Sequence, residues 1–412
     1  MAITIIPFFS PLTPEILRDG LTKKLRIDGV EILRPEDYAV LQQTEPGRTR
    51  GLIYILVGSG GSENLIEGFV KRAKLRPPVF LLSHDLNNSL PAAMETRASL
   101  EQQGFPSRII HGSLDELAEQ LRIRVQFAAI TERIGKSKLG TIGKPSHWLI
   151  ASSVNSAAVK NRWGLTIEYY PMDIILDNLS PQLSEESETQ LRGFLNSASC
   201  TDIPEEEVEK AARVAQRVSE IVDSNDMDAV TIECFNLLMQ IRISGCYALS
   251  TLNEREHFVA GCEGDIPSTF TMLIAKLITG KPVFMANVID IDVTSNIAAF
   301  AHCTIPASLT TNYRLMTHFE TGMSLGVRGV IAHQPVTVLK VSGEDLSRYW
   351  ISRGDIIENP ENEAACRTQV RVKLQEPVTY FLEESLANHH VLILGDFAEK
   401  FKRFFSFVID GW

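Results

Sequence analysis

Four places in the chain set a side chain with chemical capacity beside an apolar run. They are Glu263 in GCEGDIP, Asn287 in FMAN, His302 in FAHCTIP, and the adjacent His389 and His390 in ANHHVLILGD. A carboxylate and imidazoles converging on one cleft suit a divalent cation that keeps open positions for water or substrate, and oxygen-rich ligation favours Mn²⁺. A buried histidine is also a common hydrogen-bonded core residue. Periodicity by itself leaves both readings open.

These groups need elements to position them. Residues 258–287, FVAGCEGDIPSTFTMLIAKLITGKPVFMAN, contain an apolar run ending at Cys262, a helix from Pro267 to Thr279 and a second apolar run, Val283 to Ala286. Phe270, Leu273, Ile274, Leu277 and Ile278 fall on one helical stripe. Pro267 suits the first turn and Gly280 the position past the end. A strand, crossover helix and parallel strand would put Glu263 and Asn287 just past the carboxyl ends of neighbouring parallel strands, where open α/β sheets place ligands. Asp265 is expected to cap the helix. Asp290 and Asp292, flanking Ile291, are alternative carboxylates on one face of a strand, and Glu320 in HFETGMSLGV is a further candidate to close over a ligand.

Along the chain, residues 1–136 alternate strands and helices and read as a small doubly wound α/β domain. A second domain of the same class follows over 137–290 and carries Glu263 and Asn287. Beyond about 291 the texture becomes apolar alternation, as in VRGVIAHQPVTVLKVSG and QVRVKLQEPVTYFLEE. This predicts a β-rich domain over 291–412 that carries His302 and the His389/His390 pair. The acidic stretch from Ser184 to Asp226 reads as solvated helix. In the first domain, GSGGSE lacks the lysine of a phosphate-binding loop and reads as a tight turn. At the end of a strand, His84, Asn88 and Ser89 in SHDLNNSLPAA could bond sugar hydroxyls or cap the next helix.

Composition narrows the partners. At 412 residues with 44% apolar content the chain can bury two or three cores. A net charge of −11 without a basic cluster argues against nucleic acid and anionic membranes as partners, and for a small neutral ligand. The start, MAITIIPFFSPL, lacks the basic opening of a signal peptide, and no apolar run reaches membrane-spanning length, so a cytoplasmic location is expected. The six cysteines contain no CxxC pair and read as reduced thiols.

The segment CEGDIPSTFTMLIAKLITGKPVFMAN resembles the active-site segment of the L-fucose isomerase and L-arabinose isomerase superfamily. GSGGSE and SHDLNNSLPAAMETRASLEQQGFPSRIIHG resemble the first domain of fucose isomerase-like proteins, GKPSHWLIAS resembles the opening of the second, and AHCTIP and ANHH resemble segments bordering the site. The resemblance implies two Rossmann-like α/β domains followed by a barrel-like domain. It also implies trimers or hexamers, with His84, Asn88 and Ser89 near a neighbouring protomer's sugar. The implied activity is interconversion of aldoses and ketoses through an enediol, with Mn²⁺ or another divalent cation.

By the same resemblance Glu263 matches the catalytic glutamate that also binds metal. One of His389 and His390 matches the distal ligand, and His302 matches a ligand of the arabinose branch. Asn287 departs from the pattern, because the family carries aspartate or glutamate there as ligand and second acid/base. An amide oxygen can still ligate a metal but has no titratable proton near neutrality. The alternative reading is therefore a sugar-binding or regulatory protein that has lost its second acid/base.

Overall fold

A computed structural model describes residues 3–44, 52–75 and 77–409. The chain is mixed α/β, with two parallel sheets and a closed six-stranded β-barrel. It divides into two compact units at Glu132/Arg133, inside helix α5 (Leu114–Lys136).

In the first unit, strands β1 (Ile3–Phe8), β2 (Val30–Ile32), β3 (Leu52–Val57), β4 (Val79–Ser83) and β5 (Ser107–His111) form one sheet in the order β2-β1-β3-β4-β5. Every pairing is parallel. The connecting helices are α1 (Glu15–Lys24), α2 (Pro35–Thr44), α3 (Glu63–Ala73) and α4 (Ser89–Gln102). Side chains alternate across the sheet. Ile6, Phe8, Ile55 and Val57 pack with Ile66, Phe69 and Val70 of α3 on one face. On the other, Ile3, Ile5, Tyr54 and Leu56 pack with Leu117 and Leu121 of α5. Burial on both faces is why these strands read as continuous apolar runs.

The second unit opens with β6 (Lys138–Ile142), α6 (Ser156–Trp163), β7 (Thr166–Tyr170), α7 (Asp173–Leu176), α8 (Glu185–Ser197), β8 (Cys200–Thr201) and α9 (Glu205–Ser224). There follow β9 (Ala229–Ile232), α10 (Cys234–Ile241), α11 (Cys246–Leu252), β10 (Val259–Cys262) and α12 (Ile266–Thr279). Strands β10-β9-β6-β7 form the second parallel sheet.

The barrel runs β11-β12-β17-β16-β15-β18. It is built from β11 (Phe284–Asp292), β12 (Ile297–His302), β15 (Pro335–Ser342), β16 (Arg348–Glu358), β17 (Thr368–Leu374) and β18 (His389–Leu394). Strands β13 (Asn312–Met316) and β14 (Gly326–Val330) join β8 in a small sheet, and helices α13 (Tyr380–Glu383) and α14 (Ala398–Ile409) complete the unit. The acidic α9 is only half solvated: Val208, Ala211, Ala212 and Ala215 bury one face in the cluster that also holds the barrel residues Phe284, Phe300, Val338 and Leu392.

One expectation needs correction. β11 does not lie parallel beside β10. It is a barrel strand, antiparallel to both β12 and β18, so the barrel begins ahead of residue 291. A four-residue apolar run suits a buried parallel strand and a barrel wall equally, and the run alone does not carry its direction. Asn287 therefore faces Ala301 and His389 in register and does not sit past a strand end.

Helix α12 joins the two sheets, packing on β10 and on the barrel strands β15 and β18. Glu263 and Gly264, immediately before it, both adopt left-handed backbone, with φ of 62° and 68°. The Glu263 carbonyl accepts from Ser146 N–H at 2.9 Å, and Gly264 N–H donates to Ile232 O at 2.9 Å. A Cβ on Gly264 would stand 2.5 Å from the Lys144 carbonyl oxygen, whereas one on Gly280, with the same φ of 68°, meets nothing within 4 Å. Gly280→Ala should therefore lose only the left-handed backbone cost of about 1–2 kcal/mol. Gly264→Ala adds a backbone clash worth about 1–3 kcal/mol more. Urea unfolding of the two variants side by side checks this, and equal losses would contradict it.

Candidate metal centre

Glu263, His302 and His389 each offer a ligand atom, and these atoms lie within 4.8 Å of one another. Among the described residues this is the group with metal-holding geometry. All three are buried, His389 completely. Each arrives on a different element: Glu263 from the turn after β10, His302 from the end of β12 and His389 from the start of β18. A buried Glu/His/His group of this kind could hold a metal ion.

Two imidazole nitrogens are anchored and so aim their rings. His389 donates through Nδ1 to Asp265 Oδ2 at 2.9 Å, and His302 Nδ1 is hydrogen-bonded to Thr304 Oγ1 at 3.0 Å. This pins the tautomer of His389 and leaves its Nε2 pointing at Glu263 Oε1, 3.6 Å away. That distance is too long for a hydrogen bond, and Nε2 is buried without any hydrogen-bond partner. An orphaned, pre-aimed imidazole nitrogen beside a carboxylate fits a cation, and the carboxylate behind the histidine is the usual second partner of such a ligand. The other Glu263 oxygen, Oε2, accepts the indole N–H of Trp148 at 2.7 Å.

A buried lysine offsets one of the two carboxylates of the cluster. Asp265 caps α12 as expected, its Oδ1 accepting from Ser268 N–H at 3.0 Å. It is fully buried, and Lys340, also fully buried, places Nζ 3.9 Å from Oδ2 and donates to Ser268 Oγ at 2.7 Å. Burial pushes the Asp265 carboxyl up, but Lys340 and His389 together outweigh it and hold the group below its ordinary range. Burial likewise opposes ionisation of Glu263, and His389, His302 and Trp148 overcome it, so the carboxyl is held below its usual value. Burial lowers His389 less than its two carboxylate neighbours raise it, and the net direction is up. His302, buried and beside His389, is driven down to about 4 and is a neutral ligand at neutrality.

The remaining expected residues separate. His390 points to the opposite face of β18 from His389, as successive strand residues must. Its Nε2 accepts from Tyr380 Oη–H at 3.2 Å among Trp350 and Phe381, and burial followed by Lys340 takes it down to about 3. It stands outside the group. Asn287 is half-buried at the cleft wall, where its Oδ1 accepts from Asn388 Nδ2–H at 2.9 Å. Asp290 is exposed, and Asp292 accepts from Ser295 N–H in a turn.

In the first unit Ser89 Oγ donates to Val57 O and accepts from His84 N–H, while Asn88 takes a left-handed φ of 53° ahead of α4. These residues shape the β4–α4 turn. His84 Nδ1 accepts from Leu86 N–H at 3.1 Å.

Glu263 and His302 line a cavity of about 530 Å³, together with Trp148, Phe235, Asn287, His318, Phe319 and Glu320 among others. Sequence reasoning missed Trp148, Thr304, Lys340 and the second duty of Asp265. Lys340, a lone lysine inside the apolar run TVLKVSG, carried a signal, because a buried ammonium requires an acid partner. No protein-family model matches the chain, and no curated protein sequence matches it either. No described helix is long and apolar enough to cross a membrane.

Removing the Asp265 charge strands Lys340. Asp265→Asn should cost about 3–5 kcal/mol and weaken divalent-metal binding about 10–100-fold. Adding Lys340→Met should restore most of the stability but not the metal affinity, since the charge behind His389 stays absent. Denaturant unfolding and calorimetric Mn²⁺ titration read the two effects, and a double variant with wild-type affinity would contradict the orienting role.

Proposed function

We propose that the chain is a metal-dependent aldose–ketose isomerase related to the L-fucose and L-arabinose isomerases, acting on a small sugar through an enediol with Mn²⁺ as the favoured ion. The observation that carries this reading is the buried Glu263–His302–His389 group opening on a cavity of about 530 Å³, a volume suited to a small polar ligand. The quoted sequence segments support the same reading. It brings with it a homo-oligomer of three or six chains built on Rossmann-like domains.

A divalent ion held by the three residues would supply Lewis-acid polarisation of adjacent sugar oxygens. The protein's own groups do the rest. Glu263, kept ionised by its neighbours, accepts the proton from C2 of the aldose and returns it to C1 of the enediol. Trp148 donates to Oε2 and fixes the carboxylate plane. Asp265 keeps His389 in the tautomer that presents Nε2.

Asn287 supplies no proton, so exchange between O1 and O2 must pass through water or Glu320, the second carboxylate lining the cleft. The Asn287–Asn388 amide pair also favours a second reading, a sugar-binding protein that has lost acid/base chemistry at this position.

Incubation with Mn²⁺ and a panel of aldoses and ketoses tests the first reading. Interconversion of at least one pair is expected, with Glu263→Gln lowering kcat by about 10²–10⁴-fold. Mn²⁺ binding without turnover of any sugar would remove the isomerase. Activity that appears only after Asn287→Asp would favour the binder.

A further inference from the structure

Cys234, Cys246, Cys262, Cys303 and Cys366 all line the cavity of the candidate metal centre. They come from separate elements: Cys234 and Cys246 open α10 and α11, Cys262 ends β10, Cys303 follows β12 and Cys366 precedes β17. All are free thiols, with Cys366 half-buried and the other four buried. Side by side they form a file in which Cys262 adjoins Cys234, Cys246 adjoins Cys303, and Cys303 adjoins Cys366. Buried cysteines commonly serve as small apolar residues, and packing accounts for each one singly. It does not account for a file of thiols along one cavity wall.

The file is not a thiolate metal site. The described group that brings three ligand atoms within 4.8 Å of one another contains Glu263, His302 and His389 and no sulfur. Neighbours taken two at a time suit disulfide chemistry, and one pair combines a facing register with the least buried of the five thiols. The β12–β17 ladder pairs His302 with Thr368. Continued one residue it sets Cys303 opposite Arg367, whose backbone N–H donates to Cys303 Sγ at 3.4 Å. Cys366 is the next residue along. Facing antiparallel residues have Cα atoms about 4.5–5.5 Å apart, and the adjacent position falls near the disulfide range of about 4.4–6.8 Å.

We propose that Cys366 and Cys303 form a peroxide-sensitive pair in the wall of the site. Hydrogen peroxide entering the cavity oxidises the half-buried Cys366 thiol to the sulfenic acid, releasing one water. Cys303 Sγ then attacks Cys366 Sγ, the S–O bond breaks, and a disulfide and a second water form. The two thiols give up two electrons and two protons, and both peroxide oxygens end as water. A dithiol reductant reverses the reaction. Because Cys303 directly follows His302, drawing its side chain toward Cys366 displaces that ligand, so oxidation lowers metal affinity. This last consequence rests on the metal reading above, whereas the disulfide does not.

The test uses the full chain with Cys200→Ser, which removes the exposed thiol. It is treated with hydrogen peroxide and then denatured for thiol counting and non-reducing peptide mass mapping. Loss of two thiols with a Cys303–Cys366 linkage, reversed by dithiothreitol and blocked by Cys366→Ser, is the expected result. Untouched thiols, a linkage between any other pair, or oxidation of Cys303 that persists unchanged in Cys366→Ser would overturn it. The mass map of the Cys200→Ser parent decides the linkage even if Cys366→Ser folds poorly. Mn²⁺ titration of the oxidised form should show about tenfold or greater weakening, the size typical of a disturbed ligand. A mapped disulfide with unchanged affinity overturns the displacement of His302. Absence of Mn²⁺ binding in both redox states overturns the metal reading and leaves the disulfide standing.

Discussion

The buried carboxylate of Asp265 is the constraint on which the rest of the second unit's chemistry depends. It caps α12, receives the His389 imidazole and balances the Lys340 ammonium, with no water-facing surface of its own. Each partner comes from a different stretch of chain, so one carboxylate ties the helix that leaves the parallel sheet to two strands of the barrel. Burying an ion pair is costly unless hydrogen bonds satisfy both members. Here Ser268 meets that need, donating its hydroxyl to Asp265 at 2.7 Å while accepting from Lys340. The network specifies a register between helix and barrel, and the orientation of His389 follows from it.

The same junction explains the backbone at Glu263. A parallel strand must end, turn sharply and enter a helix whose cap is already committed to the barrel. Two consecutive left-handed residues accomplish this, one of them a non-glycine that pays about 1–3 kcal/mol for its conformation. The turn is held by the 143–146 loop, which also delivers Trp148 to the carboxylate. Glu263 thus gains a fixed carboxylate plane, an ionised state in a buried place and a neighbouring imidazole nitrogen with nothing else to bind. Those properties suit a carboxylate that could hold a metal ion.

Much of this was legible in the sequence where local rules act alone. The stripe from Phe270 to Ile278, Pro267 near the start and Gly280 beyond the end mark α12, and the structure has it at Ile266–Thr279 with Asp265 as its cap. The alternating texture after Ile291 marked antiparallel strands, and the barrel contains them. What local rules do not carry is strand direction and partner. The run before Asn287 looks the same in a parallel sheet and in a barrel wall, so the run alone puts Asn287 past a parallel strand's end, whereas it lies across from His389 in the barrel and lines the same cavity as Glu263. For the ANHH pair, period two dictates that one histidine faces each way, but which one meets Glu263 depends on how the barrel closes. Lys340 and the five cleft cysteines were visible as residue types, and their convergence is a property of tertiary packing.

The central claim is that an ion is held jointly by Glu263, His302 and a His389 aimed by Asp265. Anomalous diffraction at the manganese edge, from a crystal grown with Mn²⁺, tests it most directly. A peak is expected within about 2.0–2.3 Å of a Glu263 carboxylate oxygen and of His302 and His389 ring nitrogens, with His389 Nδ1 still on Asp265. A map without a peak among these three side chains, or one in which His389 has turned away from Asp265, would contradict it.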